Sequence, residues 1–114
     1  MIKSIKTALD ADTNLSLATK KTYKKVIKNA PSTYIYFLWG SKVRIKTGYR
    51  QRFTFYVVSD SMANIETLSK NLETLLVWTG YNINPKLWKV IQESEVDFSD
   101  EMIRTLDFTF YQTF

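Results

Sequence analysis

The side chains with the clearest capacity for chemistry are the basic ones of the segment SKVRIKTGYRQRF, residues 41–53. This segment carries five cations in thirteen positions and no acidic residue. All five are even-numbered, and side chains alternate between the two faces of a β-strand, so strand structure would tend to gather them. Such a face can bind phosphate or carboxylate groups, or it can simply be solvated. The five cations are Lys42, Arg44, Lys46, Arg50 and Arg52.

The register of the hairpin around Gly48 decides whether the five cations share a face. A two-residue turn, Thr47-Gly48, would place basic even-numbered positions on the same face as Phe53 and Phe55. A three-residue loop, 47–49, instead pairs Arg44 with Arg52 and leaves the apolar side chains on the opposite face. Burying each large apolar side chain contributes about 1.5–3 kcal/mol, whereas like charges opposite each other cost at most about 1 kcal/mol per pair. We therefore predict the three-residue loop and a one-sided cationic face.

A second basic segment, KKTYKK at residues 20–25, places lysines at helical spacing around Tyr23. This pattern suits a phosphate-binding surface with one stacking ring, and it suits a solvated face equally well. The chain shows no helix-turn-helix, zinc-finger or RNP-type pattern. Any contact with nucleic acid is therefore expected at phosphates and not at base edges.

The chain lacks the residues on which most enzymatic chemistry depends. It has no His and no Cys, which excludes thiolate nucleophiles, His-based proton relays and Cys/His zinc sites. There is no Gly-rich phosphate loop. One acidic cluster lacks the Gly-centred spacing of a calcium loop, so we interpret it as a solvated connection between two strands. We expect no enzymatic activity, no catalytic or metal site and no cofactor. The cluster comprises Glu93, Glu95, Asp97, Asp100 and Glu101.

The net charge of +5 is distributed unevenly along the chain. Residues 1–52 hold 12 Lys/Arg against 2 Asp/Glu, a net +10, and residues 53–114 hold 4 against 9, a net −5. The basic half could contact nucleic acid, or it could dock on the acidic half of an identical neighbour. No apolar run approaches 18 residues, and the N-terminus lacks the apolar stretch of a signal peptide. We expect a soluble, cytoplasmic protein without membrane contact.

The elements that must position these residues follow from periodicity. Residues 2–12 predict a short amphipathic helix, and residues 13–30 fit a strand fragment or a loose helical turn. STYIYFLWG predicts a strand at 33–39 that is apolar on both faces, with Tyr34 and Tyr36 on one of them. Such a strand is covered on both sides or forms part of a protein interface, so these two tyrosines join the five cations as candidate interface residues.

The remaining pattern predicts one α+β domain spanning residues 1–114, with helices packed on one face of a mostly antiparallel sheet. A helix at 61–78, capped by one of residues 59–61, should bury a leucine-rich stripe. Around it we predict strands at 42–47, 50–58, 87–94 and 103–112. The predicted order is α-β-β-β-α-β-β.

This order, together with four stretches of sequence, resembles the tail terminator (tail completion) proteins of long-tailed bacteriophages. The stretches are PSTYIYF, then RFTFYVVSD running directly into SMANIETLSKNLETLL, and finally IRTLDFTFYQ. The resemblance covers roughly residues 1–12 and 31–112. The matching positions, Arg52–Val58, Ile65–Leu76 and Leu106–Phe110, are mostly fold positions, and none is an invariant functional residue.

The resemblance implies a non-enzymatic virion protein that forms a hexameric ring on the end of the tail tube. The ring would end tube polymerisation and provide the head-tail joining surface. The implied partners are further copies of the chain, the major tail tube protein and the head-tail connector protein, with possible non-specific contact with passing DNA. The implied location is the tail-head junction of the virion, after assembly in the host cytoplasm. Two alternatives stay open: a small basic nucleic-acid-binding or nuclease-inhibiting accessory protein of a mobile element, and a neck or tail-tube subunit of related fold.

Overall fold

The computed structural model describes residues 1–15, 18, 20–22, 32–79, 82–98 and 102–114. These residues form two α-helices packed on one face of a sheet. A short 3-10 turn, Thr13–Leu15, follows the first helix, and a π-helical turn, Thr74–Trp78, follows the second. The elements are α1 (Ile2–Ala11), β1 (Lys20–Thr22), β2 (Tyr34–Trp39), β3 (Val43–Ile45), β4 (Gly48–Val58), α2 (Met62–Glu73), β5 (Leu87–Phe98) and β6 (Ile103–Thr113).

The sheet has the order β1-β2-β4-β6-β5, and β3 also pairs with β4. All neighbouring strands are antiparallel except β1, which runs parallel to β2. The predicted fold class, an α+β domain with a mostly antiparallel sheet, is confirmed, and the predicted element order matches apart from the additional strand β1. That strand falls in the ambiguous stretch, for which a strand fragment was one of the two expectations.

One face of the sheet, which we call the inner face, carries the core. In β4 the odd-numbered side chains from Gln51 to Val57 are buried, and the even-numbered ones lie on the opposite, outer face. The same alternation in β6 buries Leu106, Phe108 and Phe110, as predicted. Both helices bury their apolar residues in this one cluster, so they cover the inner face.

Helix α2 begins where the sequence predicts but ends at Glu73, and a π-helical turn, Thr74–Trp78, completes the predicted range. The Ser61 side chain accepts a hydrogen bond from the backbone N–H of Asn64 and so caps the helix. Its buried stripe includes Ile65, Leu68 and Leu72, and the stripe continues to Leu76 in the π-helical turn. This apolar stripe is what attaches the helix to β4 and β6.

The predicted register of the basic hairpin is wrong, for both of the turns considered. Lys46 and Thr47 form the turn, and Val43 is opposite Arg50. Upstream, Trp39 is opposite Phe53, so the chain advances four residues from Trp39 to Val43 while β4 advances three. The extra residue is a β-bulge between β2 and β3, and it reverses which side chains face inward. Periodicity alone did not reveal this insertion.

Gly48 begins β4 instead of forming the centre of the turn. Its φ is +152°, and a Cβ at this position would lie 1.8 Å from the carbonyl oxygen of Gln112 in β6. The close approach of β6 therefore requires glycine here. Gln51 stabilises the adjacent bulge, because its Nε2 donates a hydrogen bond to the carbonyl oxygen of Gly40 (2.8 Å).

Strand β5 is longer than predicted and contains part of the acidic cluster. Glu93, Glu95 and Asp97 belong to this strand, so the interpretation of the cluster as a solvated connection is wrong for these three residues. The strand continues because its pairing with β6 extends to Phe98 opposite Ile103. Asp100 and Glu101 lie outside the described residues.

Candidate interaction surface

The outer face of the sheet is open over the part of the chain that the structure describes, since both described helices pack into the cluster on the inner face. Tyr34 and Tyr36 lie on this face, half-buried, and Ile35 and Phe37 between them are buried on the inner one. The Tyr36 ring stacks on Tyr56 of β4, with centroids 4.5 Å apart and planes 5° from parallel. The open face thus presents rigid aromatic surface.

Arg50 and Arg52 also lie on the outer face, beside the aromatic residues. They line a groove of about 350 Å³ together with Tyr111 and Thr109 of β6 and Glu93 of β5. Cations, a ring and a carboxylate thus meet in one open groove. Its chemistry suits a polar macromolecular surface, and it has no recognisable nucleophile with a base.

Lys42 and Arg44 lie on the other face of the hairpin. Arg44 is opposite Tyr49, which places its side chain on the inner side of the sheet beyond the end of the core. The Lys42 ammonium lies 5.4 Å from the centre of the Tyr49 ring, and the Arg44 guanidinium lies 5.1 Å from the centre of the Phe114 ring. Both are cation–π contacts at an exposed site.

The predicted one-sided cationic face is therefore wrong. The bulge divides four of the five cations between two faces, with Arg50 and Arg52 on the outer face and Lys42 and Arg44 on the inner one. The fifth, Lys46, lies in the turn. Among the described residues, none of the five forms an ion pair with a carboxylate. Within the part of the chain that the structure describes, the hairpin is thus an uncompensated basic corner of the sheet, and its role as an interface stays a prediction.

The structure also contains an ionic cluster that the sequence reading missed. Arg104 is 7% exposed, and its guanidinium contacts three half-exposed carboxylates. Its Nη2 lies 2.8 Å from Glu66 of α2, its Nε lies 2.5 Å from Asp97, and its Nη1 lies 3.6 Å from Glu95. The signal was present in the sequence: a lone arginine in an acidic half, facing a strand with alternating acids. Only the pairing of β5 with β6 identifies it.

Hydrogen bonds set the protonation of this cluster. The bonds from Arg104 lower the pKa of Glu66 and of Asp97, and the same bonds raise the pKa of Arg104. Glu66, Asp97 and Arg104 are therefore charged near neutral pH. Three carboxylates around one guanidinium leave this corner of the sheet with an excess of negative charge.

A polar network on the outer face is already satisfied within the chain. Asp107 accepts hydrogen bonds from the hydroxyls of Thr54 (2.5 Å) and Ser94 (2.9 Å).

Within the described ranges, no group of three or more acidic side chains is arranged to hold a metal ion. The described helices are all too short or too polar to cross a membrane. Of the KKTYKK segment, residues 23–25 lie outside the described residues.

Comparison with known proteins identifies a solved structure of similar fold but assigns the chain to no family. No protein family model and no curated protein sequence matches this chain. One solved structure does match: a chain from the virion of a native gene transfer agent particle, at 16% identity and with a TM-score of 0.58. The match covers 94% of this chain and 88% of that one. The chain therefore shares the fold of a virion component over nearly its whole length.

Proposed function

We propose that this chain is a non-enzymatic structural protein of a phage-like virion, and specifically a ring-forming tail terminator. The observation that carries the proposal is the shared fold with the gene transfer agent chain over 94% of this one. In the proposed role a hexameric ring binds the end of the tail tube, stops its growth and provides the surface that joins the tail to the head. The chain then acts at the tail-head junction.

The surface chemistry supports assembly over catalysis. Half-buried tyrosines, a groove with arginines and an uncompensated basic corner suit contacts between proteins. The placement of two of the five cations on each face of the sheet speaks against a single track of phosphate contacts along a duplex. We therefore favour protein partners over nucleic acid, with passing DNA as a non-specific neighbour at most.

The test uses tail tubes polymerised from the tail tube protein of the same genome, mixed with the purified chain. We expect rings bound at tube ends in electron micrographs, and tubes that stop elongating when more tube protein is added. A matched reaction containing lysozyme, another small basic protein, should leave elongation unchanged. Tubes that keep growing, with no density at their ends, would contradict the terminator role.

A titration with duplex DNA distinguishes the terminator from the main alternative, a nucleic-acid-binding accessory protein. A nucleic-acid-binding accessory protein should bind duplex DNA tightly, with an affinity that falls steeply with salt, and should leave tube growth unaffected. A tube or neck subunit should add along the tube or bind at the head instead of stopping growth.

A further inference from the structure

Two edges of the sheet carry complementary patterns. Strand β5 is the last strand on one side, and β3 lies on the other side, beyond β4. Within the described part of the chain neither strand pairs with a second neighbour, so the described residues leave backbone N–H and C=O groups unpaired at both edges. Such an edge can be extended by a strand from another molecule.

The side chains at these two edges match at three successive positions when the edges run antiparallel, which is the orientation that their directions in the sheet give. The segment KVRI, residues 42–45, presents Lys42 and Arg44 on the inner face and Val43 on the outer face. The segment EVDF, residues 95–98, presents acids on the inner face, because Asp97 is opposite Arg104 and Glu95 is opposite Leu106. Val96 and Phe98 point to the outer face. If the two edges met antiparallel in one continuous sheet, Arg44 would lie opposite Glu95 and Lys42 opposite Asp97 on one face. Val43 would lie opposite Val96 on the other.

The exposure of apolar side chains and the charge at the two edges also favour a contact between them. Val43, Val96 and Phe98 are exposed by 45% to 48%, which is high for large apolar side chains on strands. The acidic corner has two carboxylates more than its single guanidinium neutralises, and the basic corner forms no ion pair among the described residues. Each corner lacks the charge that the other supplies.

We infer that the EVDF edge of β5 pairs with the KVRI edge of β3 in a second copy of this chain, and that this contact builds the ring. The inference rests on the proposed function, since it names the contact between subunits. The two edges differ, so the contact is head-to-tail, which generates a closed ring when the rotation between copies allows it.

The positions of the two segments also predict how the strands incline in that ring. Val43 is level with Tyr111 of β6, through Arg50, whereas Val96 is level with Thr105, which precedes Tyr111 by six residues. That offset is about 20 Å across four strands that together span roughly 19 Å. Strands therefore incline by about 45° to the ring axis, near the range of closed β-barrels.

A pair of charge variants tests the contact. Arg44→Glu places like charges opposite Glu95 of the next copy, and Glu95→Lys places like charges opposite Arg44. Each variant alone should weaken association at least about tenfold, by light scattering and by ring formation at tube ends. A mixture of the two in equal amounts should assemble again, because every contact in an alternating ring is then between opposite charges. Lys70→Glu, an exposed charge reversal on α2 outside both edge segments, is the matched control and should assemble as the wild type does.

A cross-link tests the same contact without relying on charge. The chain has no cysteine, so Val43→Cys combined with Val96→Cys introduces the only two thiols. Within one copy these positions are separated by β4 and β6, about three strand spacings or roughly 14 Å, beyond the reach of a disulfide at about 7 Å. Oxidation should give a ladder of multimers on a non-reducing gel. Val43→Cys with Thr67→Cys, which replaces the β5 thiol by one on α2, should give no ladder above the dimer.

The charge-variant and cross-linking assays are run with and without tail tubes. Their outcomes distinguish a failure of this inference from a failure of the proposed function. If the wild type caps tubes but the mixture fails to assemble and no ladder forms, the edge contact is wrong and the terminator role stands. Should the chain stay monomeric and leave tubes uncapped, both fail. Assembly in the mixture, together with the ladder, supports the contact even if the rings do not cap tubes.

Discussion

At the scale of single residues, Arg104 connects three parts of the molecule. It lies on the inner face of β6, beyond the apolar core, and contacts α2 through Glu66 and β5 through Asp97. The guanidinium is almost fully buried, and its carboxylate partners remain half-exposed. The bonds to Asp97 are bidentate, the geometry in which an arginine fixes a carboxylate most firmly. The residue therefore holds the acidic end of β5 in a defined orientation.

Replacing this residue should change stability in a pH-dependent way. Because Glu66 and Asp97 have lowered pKa values in the folded state, their contribution is present above their unfolded pKa values, near 4, and is lost as the pH falls through the lower folded values. We expect Arg104→Met to lower the free energy of unfolding by about 1–2 kcal/mol at neutral pH, discounted for the exposure of the carboxylates. The difference from wild type should shrink towards about pH 3.

Urea denaturation at neutral and acidic pH measures this difference. Arg52→Met removes an exposed arginine without an ion pair, and it should stay within about 0.5 kcal/mol of wild type at both pH values. An Arg104→Met deficit of equal size at both pH values would mean that the arginine acts through its packing alone.

At the scale of elements, the hairpin between β3 and β4 depends on two backbone features. The bulge at residues 40–42 reverses the inward and outward alternation between β2 and β3. Gly48 then allows the hairpin to lie directly against β6. Together they place Lys42 and Arg44 on one face and Arg50 and Arg52 on the other. The distribution of charge is thus set by backbone geometry more than by composition.

Gly48→Ala should therefore disrupt this end of the sheet. A Cβ would lie 1.8 Å from the Gln112 oxygen, and the φ of +152° is unfavourable for alanine. We expect a loss of at least about 2 kcal/mol in the free energy of unfolding. Gly40→Ala is the matched control, because a Cβ there meets no atom within 4 Å, and it should be nearly neutral. Thermal unfolding of both variants checks the prediction, and equal stability would contradict this placement of Gly48.

At the scale of the whole molecule, the uneven charge of the sequence becomes an arrangement in space. The basic hairpin and the acidic end of β5 lie at opposite edges of the sheet and at opposite ends of its strands. One copy thus has a basic corner and an acidic corner that cannot meet each other. The basic corner of one copy can instead meet the acidic corner of another. The arrangement of charge therefore favours association between copies over a contact within one chain.

Association that depends on such corners should weaken with salt. Exposed charges are screened over about 10 Å at 0.1 M ionic strength and over shorter distances above it. We expect sedimentation to show smaller assemblies as salt rises from about 0.05 M to about 0.5 M, with unchanged secondary structure by circular dichroism. Rising salt should reduce the assembly of the Arg44→Glu variant little further, since its contact between copies is already impaired. Assemblies that grow with salt would indicate an interface dominated by apolar contacts.

Much of the fold was accessible from periodicity. The helix stripe of Ile65, Leu68 and Leu72 and the alternation of Leu106, Phe108 and Phe110 predicted their elements and their buried faces correctly, because burial enforces these periods. The hairpin register could not be predicted in this way. A bulge adds one residue to a strand without any characteristic residue type, so the pattern of apolar and charged residues does not reveal it. The end of β5 was missed because acids in a strand resemble a solvated loop until Arg104 is seen opposite them.

By itself, the sequence determined the fold class, the absence of His and Cys chemistry and the division into a basic and an acidic half. These depend on composition and on local periodicity, which are properties of the chain alone. Tertiary structure decided which cations share a face, which carboxylates surround Arg104 and which edges stay free. Those relations depend on strand register and sheet order, where contacts between residues far apart in sequence outweigh the local pattern.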